Sequence, residues 1–215
     1  MKLSFFGADQ CVTGSCHCLE VNGKRILIDC GLQQGRDEID NRELPFAPNT
    51  IDYVLITHAH IDHSGRVPML VRLGFTGEIW TTRLTANLLE IMLSDSAHIQ
   101  EMEAQWKAKK YSRRGLKNPP AALYTTEDAL KTAGLLHPVA YHEDFEPAPG
   151  IKVTYYDAGH ILGSGSLRLE VTEDDKTTSI IFSGDIGRPQ ALIVRDPESP
   201  PKADYIFMEL SLIHI

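Results

Sequence analysis

The sequence predicts an α/β protein of the α+β type, with two β-sheets and helices on their outer faces. Short strand patterns cluster in the first and last thirds of the chain, and the middle carries the longest helical pattern. Strands and helices do not alternate one by one, as they do in a parallel sheet with crossover helices. No internal repeat or linker is visible in the 215 residues, which favours one domain or the first part of a larger protein.

Four strands are predicted in the first quarter of the chain, over residues 2–6, 15–21, 25–30 and 51–57. Asn22-Gly23 is a strong signal for a hairpin turn between the second strand and the third. The fourth strand, IDYVLIT, is a continuous apolar run closed by a polar loop, which is typical of a buried strand. A short helix over 66–73, ended by Gly74, and a strand over 78–81 follow it.

The middle of the chain predicts one long amphipathic helix over 82–110. There is no Gly or Pro in this stretch, and large apolar residues recur at helical spacing. The residues that define this apolar face are Leu84, Leu88, Ile91, Met92, Ile99, Met102 and Trp106.

Shorter elements complete the pattern. Residues 112–123, rich in Arg, Gly and Pro, indicate a loop, and 126–133 indicates a helix with Thr125 or Thr126 as its N-cap. A strand is expected between His137 and His142. The last predicted strands cover 151–157, 166–171, 178–183 and 205–208.

Composition and charge exclude several classes of protein. The chain is 42% hydrophobic and 23% charged, which is typical of a globular protein. No apolar run approaches the roughly 18 residues of a membrane span, and the first residues lack a signal-peptide core. We therefore expect no membrane partner and a cytoplasmic location, while the oligomeric state stays open.

The formal net charge of −8 argues against a chain-wide electrostatic grip on nucleic acid. A local basic patch stays possible, because six basic residues cluster where the long helical pattern ends. These residues are Lys107, Lys109, Lys110, Arg113, Arg114 and Lys117. A solvated helix end would explain the same cluster.

The four cysteines do not indicate a metal site. Cys11, Cys16, Cys18 and Cys30 lack the spacing of a zinc ribbon or zinc knuckle. We expect small buried side chains in a reducing compartment. Within Cys16-His17-Cys18, neighbouring side chains point to opposite faces of the predicted strand and cannot converge on one ion.

A cluster of metal-ligating residues follows the strand predicted over 51–57. His58, His60, Asp62 and His63 lie within six residues of one another. Imidazole nitrogen suits zinc, and a carboxylate oxygen allows a second ion to bind nearby. His58 and His60 can reach one ion from the strand end, while Asp62 and His63 face a second position after a turn. The spacing therefore predicts a site for two metal ions.

Further donors occur in similar contexts. His160 and Asp185 each follow a predicted strand, and flanking glycines allow backbone and metal to approach closely. A carboxylate such as Asp185 can bridge two cations about 3.5–4 Å apart, and Asp62 and Asp185 are the candidate catalytic residues. Asp29 also follows a strand, and we expect it to orient a ligand by hydrogen bonding or to be a turn residue before Gly31.

The remaining histidines of the folded chain occur without such a context. We expect His17, His98, His137 and His142 to be ordinary hydrogen-bonded or exposed side chains rather than metal ligands.

Taken together, these segments resemble the β-CASP nucleases of the metallo-β-lactamase superfamily, in particular their bacterial and archaeal RNA-processing members. The resemblance extends from the first residue to about Glu209. The HxHxDH loop alone marks only the superfamily, and its combination with the last two motifs is more specific. The motifs are Gly7-Ala8 with VTGS at 12–15, IDCG at 28–31, HAHIDHSG at 58–65, DAGHILGS at 157–164 and FSGDIGR at 182–188.

The resemblance implies an αββα sandwich with a di-zinc site between the sheet edges. A hydroxide activated by both zinc ions would attack a phosphodiester phosphorus of RNA. Asp29 and Glu209 would lie just outside the ligands, and iron or manganese would suit the same donor types. The implied ligands are His58, His60 and His160 for the first zinc, Asp62 and His63 for the second, and Asp185 as the bridge.

The chain also departs from this family. Family members continue past the position of Glu209 into a capping β-CASP domain, a general-acid histidine and a last ligand for the second zinc. We therefore expect residues 1–209 to be the N-terminal part of the metallo-β-lactamase fold, poorly active alone and with a weak second zinc site. Residues 210–215, LSLIHI, match what a sequencing-library adapter encodes, so we expect a non-native tail there.

Two other functions stay open. A stand-alone hydrolase of the same fold could cleave a small ester, thioester or lactam. A non-catalytic metal-binding scaffold subunit is the other alternative. The family motifs favour RNA cleavage over the first, and the full set of six ligands disfavours the second.

Overall fold

A computed structural model describes residues 1–9, 11–35 and 41–209 of the chain. Its first layer is a six-stranded mixed sheet in which the strands lie side by side in chain order. β1 to β3 are antiparallel, and β3 to β6 run parallel to one another. The strands are β1 Lys2–Gly7, β2 Cys16–Val21, β3 Lys24–Ile28, β4 Tyr53–Leu55, β5 Glu78–Thr82 and β6 Leu136–Val139.

The predicted hairpin between β2 and β3 is confirmed. Asn22 and Gly23 both have positive φ, 50° and 71°, which is the backbone conformation that a two-residue turn of this kind requires. The strand expected between His137 and His142 is shifted, because His137 itself lies inside β6.

The second layer is a five-stranded sheet in the order β11-β10-β9-β8-β7. Only β11, which runs parallel to β10, breaks its antiparallel pattern. β7 was not predicted, because its four residues, FEPA, carry no clear alternation. The strands are β7 Phe145–Ala148, β8 Ile151–Asp157, β9 Gly165–Glu173, β10 Lys176–Phe182 and β11 Tyr205–Phe207.

Among the residues that the structure describes, four helices lie against the first sheet. α1 Ile61–Ser64 was not predicted, α2 is Val67–Arg72, α3 is Arg83–Arg113 and α4 is Thr126–Ala133. A 3-10 turn, Pro48–Thr50, precedes β4. Thr82 caps α3 and Thr125 caps α4, each by accepting a hydrogen bond from a backbone N–H of the first turn.

Two apolar cores stabilise these layers. Because side chains alternate along a strand, Ile26 and Ile28 of β3 face the second sheet, while Leu27 faces the helices. Each such buried side chain contributes roughly 1.5–3 kcal/mol. Tyr155, fully buried between the sheets, donates its hydroxyl to the carbonyls of Ile56 and Trp80. This contact ties the strand end that precedes His58 to the second sheet.

The two-sheet α/β fold is confirmed, but its helix layers are unequal. Within 1–9, 11–35 and 41–209, helices cover the first sheet only, so the second helix layer of the implied αββα sandwich is not among the described residues. The outer face of the second sheet instead carries ion pairs. Glu170 pairs with both Arg168 and Lys152, and Lys152 also lies 3.4 Å from Asp144.

The long helix is confirmed, but the apolar face expected for it is not its buried face. α3 buries Thr85, Ala86, Leu89, Leu93 and Ala97, which are mostly small residues that allow close packing on β5, β6 and α4. Five of the apolar residues of the predicted face are about half exposed or more: Leu84, Ile91, Ile99, Met102 and Trp106.

The segment expected to be a non-native tail, residues 210–215, lies outside the described residues. In the described part of the chain, no helix combines the length and the apolar character that a membrane span needs.

Candidate metal centre

The centre begins where β4 ends. Three residues after Leu55, the chain turns so that His58 is fully buried and His60 is partly exposed at the mouth of the site. His58 Nε2 lies 3.0 Å from His60 Nδ1, and His160 Nε2 lies 3.2 Å from that same His60 atom. Three ring nitrogens, two of them 100 residues apart in the chain, therefore point at one position.

This spacing fits a metal ion. In a tetrahedral site with metal–nitrogen bonds of 2.0–2.1 Å, two ligand nitrogens lie roughly 3.3 Å apart. Asp185 Oδ2 completes the group, 3.5 Å from His160 Nε2 and 3.9 Å from His58 Nε2. The four donor atoms lie within 4.8 Å of one another, so these residues could hold a metal ion.

Close backbone packing brings the loops of His160 and Asp185 together. Gly187 donates its N–H to Ala158 O at 2.8 Å, and a Cβ on Gly187 would meet Gly159 O at 1.7 Å. Only glycine fits at position 187, which accounts for the second glycine of the SGDIG segment. The Ser164 hydroxyl then accepts the His160 N–H at 3.0 Å and fixes the loop.

Asp62 and His63 lie on α1 and face a second position. His63 Nε2 is 3.6 Å from Asp185 Oδ1 and 3.9 Å from Asp62 Oδ2. Backbone N–H groups of Ser15 and Cys30 donate to the carbonyls of Asp62 and His63, at 2.9 and 2.7 Å. Asp185 thus lies between the two groups of donors, with one carboxylate oxygen toward each.

Gly31 makes that packing possible. A Cβ on Gly31 would meet Asp62 O at 1.6 Å, so any larger residue would push the loop and α1 apart. This explains the glycine after Asp29 in the IDCG motif.

Asp29 connects the two groups of donors. Its buried carboxylate accepts hydrogen bonds from Thr57 N, Thr57 Oγ1 and His63 Nδ1, each at 2.8 Å. Because Thr57 Oγ1 donates to Asp29, it accepts from His58 Nδ1 at 3.0 Å. Both imidazoles therefore carry a proton on Nδ1, which leaves Nε2 as the nitrogen that can bind a metal.

Protonation equilibria agree with this arrangement. Burial, followed by the neighbouring imidazoles, lowers the pKa of His58 well below its ordinary value, and burial also lowers the pKa of His160. Both rings are therefore neutral near pH 7, which is the form that binds metal. His63 differs: burial opposes its charge, but the facing Asp29 carboxylate raises its pKa to about 9. In the metal-free protein His63 is therefore protonated near pH 7, and its Nε2 must release a proton before it can bind a metal.

Glu209 lies beside the same site and contacts Ser15 and His17, two residues that the sequence did not assign to the site. Ser15 Oγ donates to Glu209 Oε1 at 2.6 Å, and His17 Nε2 lies 3.6 Å from that oxygen. Asp29, His63 and Glu209 form a further group of donor atoms within 4.8 Å. Asp29 already accepts three hydrogen bonds, one of them from His63 Nδ1, so its carboxylate is engaged with protein donors.

A cavity of about 450 Å³ opens beside the carboxylates. Asp29, Thr57, Gly184 and Glu209 line its polar side, and Phe5, Phe182 and Phe207 are among the residues of its apolar side. His17 also lines it, with its ring between Phe5 and Phe182 and its Nδ1 buried without a hydrogen-bond partner. His17 is thus buried beside the site, which nothing in its sequence context indicated.

The other histidines lie elsewhere, as predicted. His98 is exposed on α3. The His137 ring contacts that of Trp80 at a tilt of 34°, and His142 pairs with Glu198 at 3.1 Å on the surface.

Known proteins similar to this chain are nucleases and RNA-processing factors. It is 33% identical over 210 residues to a ribonuclease of Thermus thermophilus, covering 97% of this chain and 43% of the relative. It is 33% identical to a transcription termination factor of Methanosarcina mazei (86% and 27% covered). It is 28% identical to cleavage and polyadenylation specificity factor 73 of Drosophila melanogaster (97% and 28%). The resemblance to β-CASP RNA-processing nucleases is thereby confirmed for the N-terminal part of these relatives.

Solved structures agree on the fold. A subclass B3 metallo-β-lactamase from a soil metagenome library superposes with a TM-score of 0.50 at 20% identity, covering 84% of this chain and 59% of that one. At that identity the likeness concerns the fold alone. The sequence profile of the metallo-β-lactamase superfamily matches residues 10–207, which is nearly the whole chain. The chain therefore belongs to the metallo-β-lactamase superfamily.

Proposed function

We propose that this chain is the metal-binding part of a hydrolase that cleaves RNA phosphodiester bonds with two zinc ions. The observation that carries the proposal is the meeting of six donor side chains from three separate loops. The chain spans less than half the length of the relatives it matches, so the activity and the RNA substrate belong to the proposal. The names of those relatives support RNA, and a cytoplasmic location goes with it.

The proposed ligands divide between two positions. Asp185 bridges them, because its two oxygens face different histidines, His160 and His63. Asp29 and Glu209 stay outside. The assignment is His58, His60 and His160 for the first zinc, and Asp62 and His63 for the second.

Two cations held by these donors would supply Lewis-acid activation of water and would offset the negative charge that develops on phosphate. The residues of the chain orient the histidine ligands. Asp29 fixes the tautomer of His63 directly and that of His58 through Thr57. Asp62, whose side chain is 25% exposed, is the carboxylate of this site that substrate and solvent can reach. Asp62 and Asp185 are therefore the proposed catalytic carboxylates.

Metal analysis and an RNA cleavage assay test the proposal. The purified chain should retain zinc without added metal and cleave labelled single-stranded RNA slowly, and only when zinc is bound. His160→Ala should lose both properties, whereas His98→Ala, an exposed histidine on α3, should keep them. A chain without zinc after purification free of chelators, or one that hydrolyses lactams or thioesters but not RNA, would contradict the proposal.

A further inference from the structure

The basic residues at the end of α3 form a charged surface separate from the metal centre. Between Glu103 and Glu127 the sequence contains six basic residues and no acidic one, in a chain of net charge −8. Five of the six are exposed: Lys109, Lys110, Arg113, Arg114 and Lys117.

These five cations have no ion-pair partner among the described residues, whereas Lys107 pairs with Glu103 at 3.0 Å. By contrast, Lys24 of the first sheet has an acidic partner, because its Nζ lies 2.8 Å from Asp52 Oδ1. Neighbouring like charges repel one another, so an uncompensated cluster produces a local positive potential that attracts anions from outside the chain.

The helix end accounts for only part of this cluster. The C-terminus of a helix favours cations in its last turn, where Lys110 and Arg113 lie. Arg114 is the residue after the helix, and Lys117 lies in the following loop. The helix dipole therefore does not explain why the positive charge continues past the helix.

An exposed tryptophan adjoins the cations. The Trp106 side chain is 60% exposed, and Lys110 Nζ lies 4.9 Å from its ring centroid. Steps of three or four residues place Met102, Trp106, Lys110 and Arg113 on one side of α3. The exposed apolar residues of the helix thus lead directly into the basic ones.

We propose that the C-terminal end of α3 and the loop after it bind single-stranded RNA. Trp106 stacks on a base, and Lys109, Lys110 and Arg113 contact phosphates. A sequence-tolerant site for single strands combines these two features, an aromatic platform and a row of cations. The inference rests on the proposed function, because it takes the proposed substrate as the ligand of this surface.

The surface lies far from the bond to be cleaved. α3 begins beside the His160 loop, where Thr82 Oγ1 and Thr85 Oγ1 both donate to Gly163 O. At 1.5 Å per residue, Trp106 lies about 35 Å along the helix from Arg83. Trp106 therefore binds the RNA far from the bond to be cleaved and takes no part in the chemistry. The surrounding cations favour RNA over an apolar protein surface as the partner.

Fluorescence anisotropy with a labelled oligouridine tests the phosphate contacts. EDTA in the buffer prevents cleavage, so binding is read alone. The triple variant Lys109→Gln, Lys110→Gln, Arg113→Gln should bind more weakly, and the slope of log affinity against log salt should fall by about 2. Lys176→Gln with Lys202→Gln, two exposed lysines elsewhere, should leave affinity and slope unchanged.

Single substitutions test the stacking. Trp106→Ala should weaken RNA binding about tenfold, while Trp106→Phe retains most of the affinity. Ile91→Ala, an exposed apolar residue of the same helix away from the cations, is the matched control. In a Trp80→Phe background, RNA should also quench the fluorescence of Trp106.

Several results would overturn the inference. The first is that the chain does not bind RNA, and the second is that the triple variant and Trp106→Ala both bind RNA as the original chain does. The third is that the chain self-associates and that Trp106→Ala and Ile91→Ala abolish this association equally. The last would assign α3 to a protein contact. Asp185→Asn should bind RNA normally. An unsubstituted chain that binds RNA through this surface but holds no zinc and cleaves no RNA would contradict the proposed function alone. An unsubstituted chain that holds zinc and cleaves RNA but fails these binding tests would contradict only this surface.

Discussion

The two halves of the metal centre differ in how firmly the fold positions their donors. In the histidine half, ring nitrogens of His58, His60 and His160 already lie 3.0 and 3.2 Å apart. In the carboxylate half, His63 Nε2 lies 3.6 and 3.9 Å from its nearest carboxylate oxygens. The cavity of about 450 Å³ is lined by Asp29 and Glu209, which lie beside the second half.

This difference has a structural origin. The histidines come from loops that are fixed by glycine contacts and by the Thr57 hydroxyl, so little rearrangement precedes metal binding. In the carboxylate half, the Asp62 side chain is partly exposed and lies 3.9 Å from His63 Nε2. Preorganised donors bind more tightly because less conformational entropy is lost. We therefore expect the first zinc to bind more firmly than the second.

Asp185→Ala should have the largest effect, because this carboxylate faces both halves. The substitution should lower the zinc affinity of both positions. The loss should exceed the roughly 10- to 100-fold seen when a residue that only hydrogen-bonds to a metal ligand is replaced. Isothermal titration of the metal-free protein with zinc measures both affinities, with His98→Ala as the control. Selective loss at one position would show that Asp185 is no bridge.

Asp62→Ala should affect the zinc affinity of the two positions differently. It removes a donor from the second position only, so zinc should be lost there, while the first position stays within a few-fold of the original affinity. Cobalt titration followed by visible absorption distinguishes the two events, since each position gives its own spectrum. Equal weakening at both positions would contradict the ligand assignment.

The Asp29–His63 pair should make the stability of the metal-free protein depend on pH. The pKa of His63 is about 9 in the folded protein, above the ordinary value of about 6.5 for an unfolded chain. Its stabilising contribution is then fully present below about pH 6.5 and is lost as the pH rises through about 9. Urea unfolding should show a fall of up to about 3 kcal/mol over that interval.

Asp29→Asn tests the cause of this pH dependence. It removes the carboxylate that favours the charged imidazole, so most of the slope should disappear. His142→Ala removes an exposed histidine that pairs with Glu198, and it should leave the slope unchanged. An Asp29→Asn protein with the original slope would assign the titration to another group.

Sequence reasoning found the site because its residues follow strand ends. Ligands such as His58, His160 and Asp185 each come directly after an apolar strand and beside small residues, and parallel or adjacent strands bring such ends together. The ranges of most strands were predicted, but the order of the strands within each sheet was not. The exact limits also differ: the predicted strand over 51–57 is reduced to Tyr53–Leu55, because only those residues pair with both neighbours.

Other features depend on tertiary packing that no local pattern records. Ser15 and Glu209 are 194 residues apart, and their hydrogen bond exists only because β2 and β11 belong to facing sheets. The buried face of α3 was misjudged because its small residues, such as Ala86 and Ala97, allow closer approach than the larger Ile91 and Trp106. Hydrophobic periodicity predicts a helix but does not decide which side faces the core.

Ser15→Ala should have the smallest effect of the series and tests the outer edge of the carboxylate half. Burial alone would raise the pKa of Glu209, but hydrogen bonding by His17, the nearby His63 charge and the Ser15 hydroxyl lower it. A lowered carboxyl pKa gives stability that is present above the unfolded value and lost as the pH falls through the folded one. Losing this charge-assisted hydrogen bond should cost about 1.5 kcal/mol at pH 7 and less in acid.

Urea unfolding of Ser15→Ala, Glu209→Gln and the double variant measures this coupling directly. If Ser15 acts through Glu209, the double variant should be little less stable than Glu209→Gln alone, because the charged acceptor is already gone. Additive losses would mean that Ser15 stabilises the chain through other contacts. In that case Glu209 would be held by His17 and its own backbone, and the carboxylate half would be looser still than the histidine half.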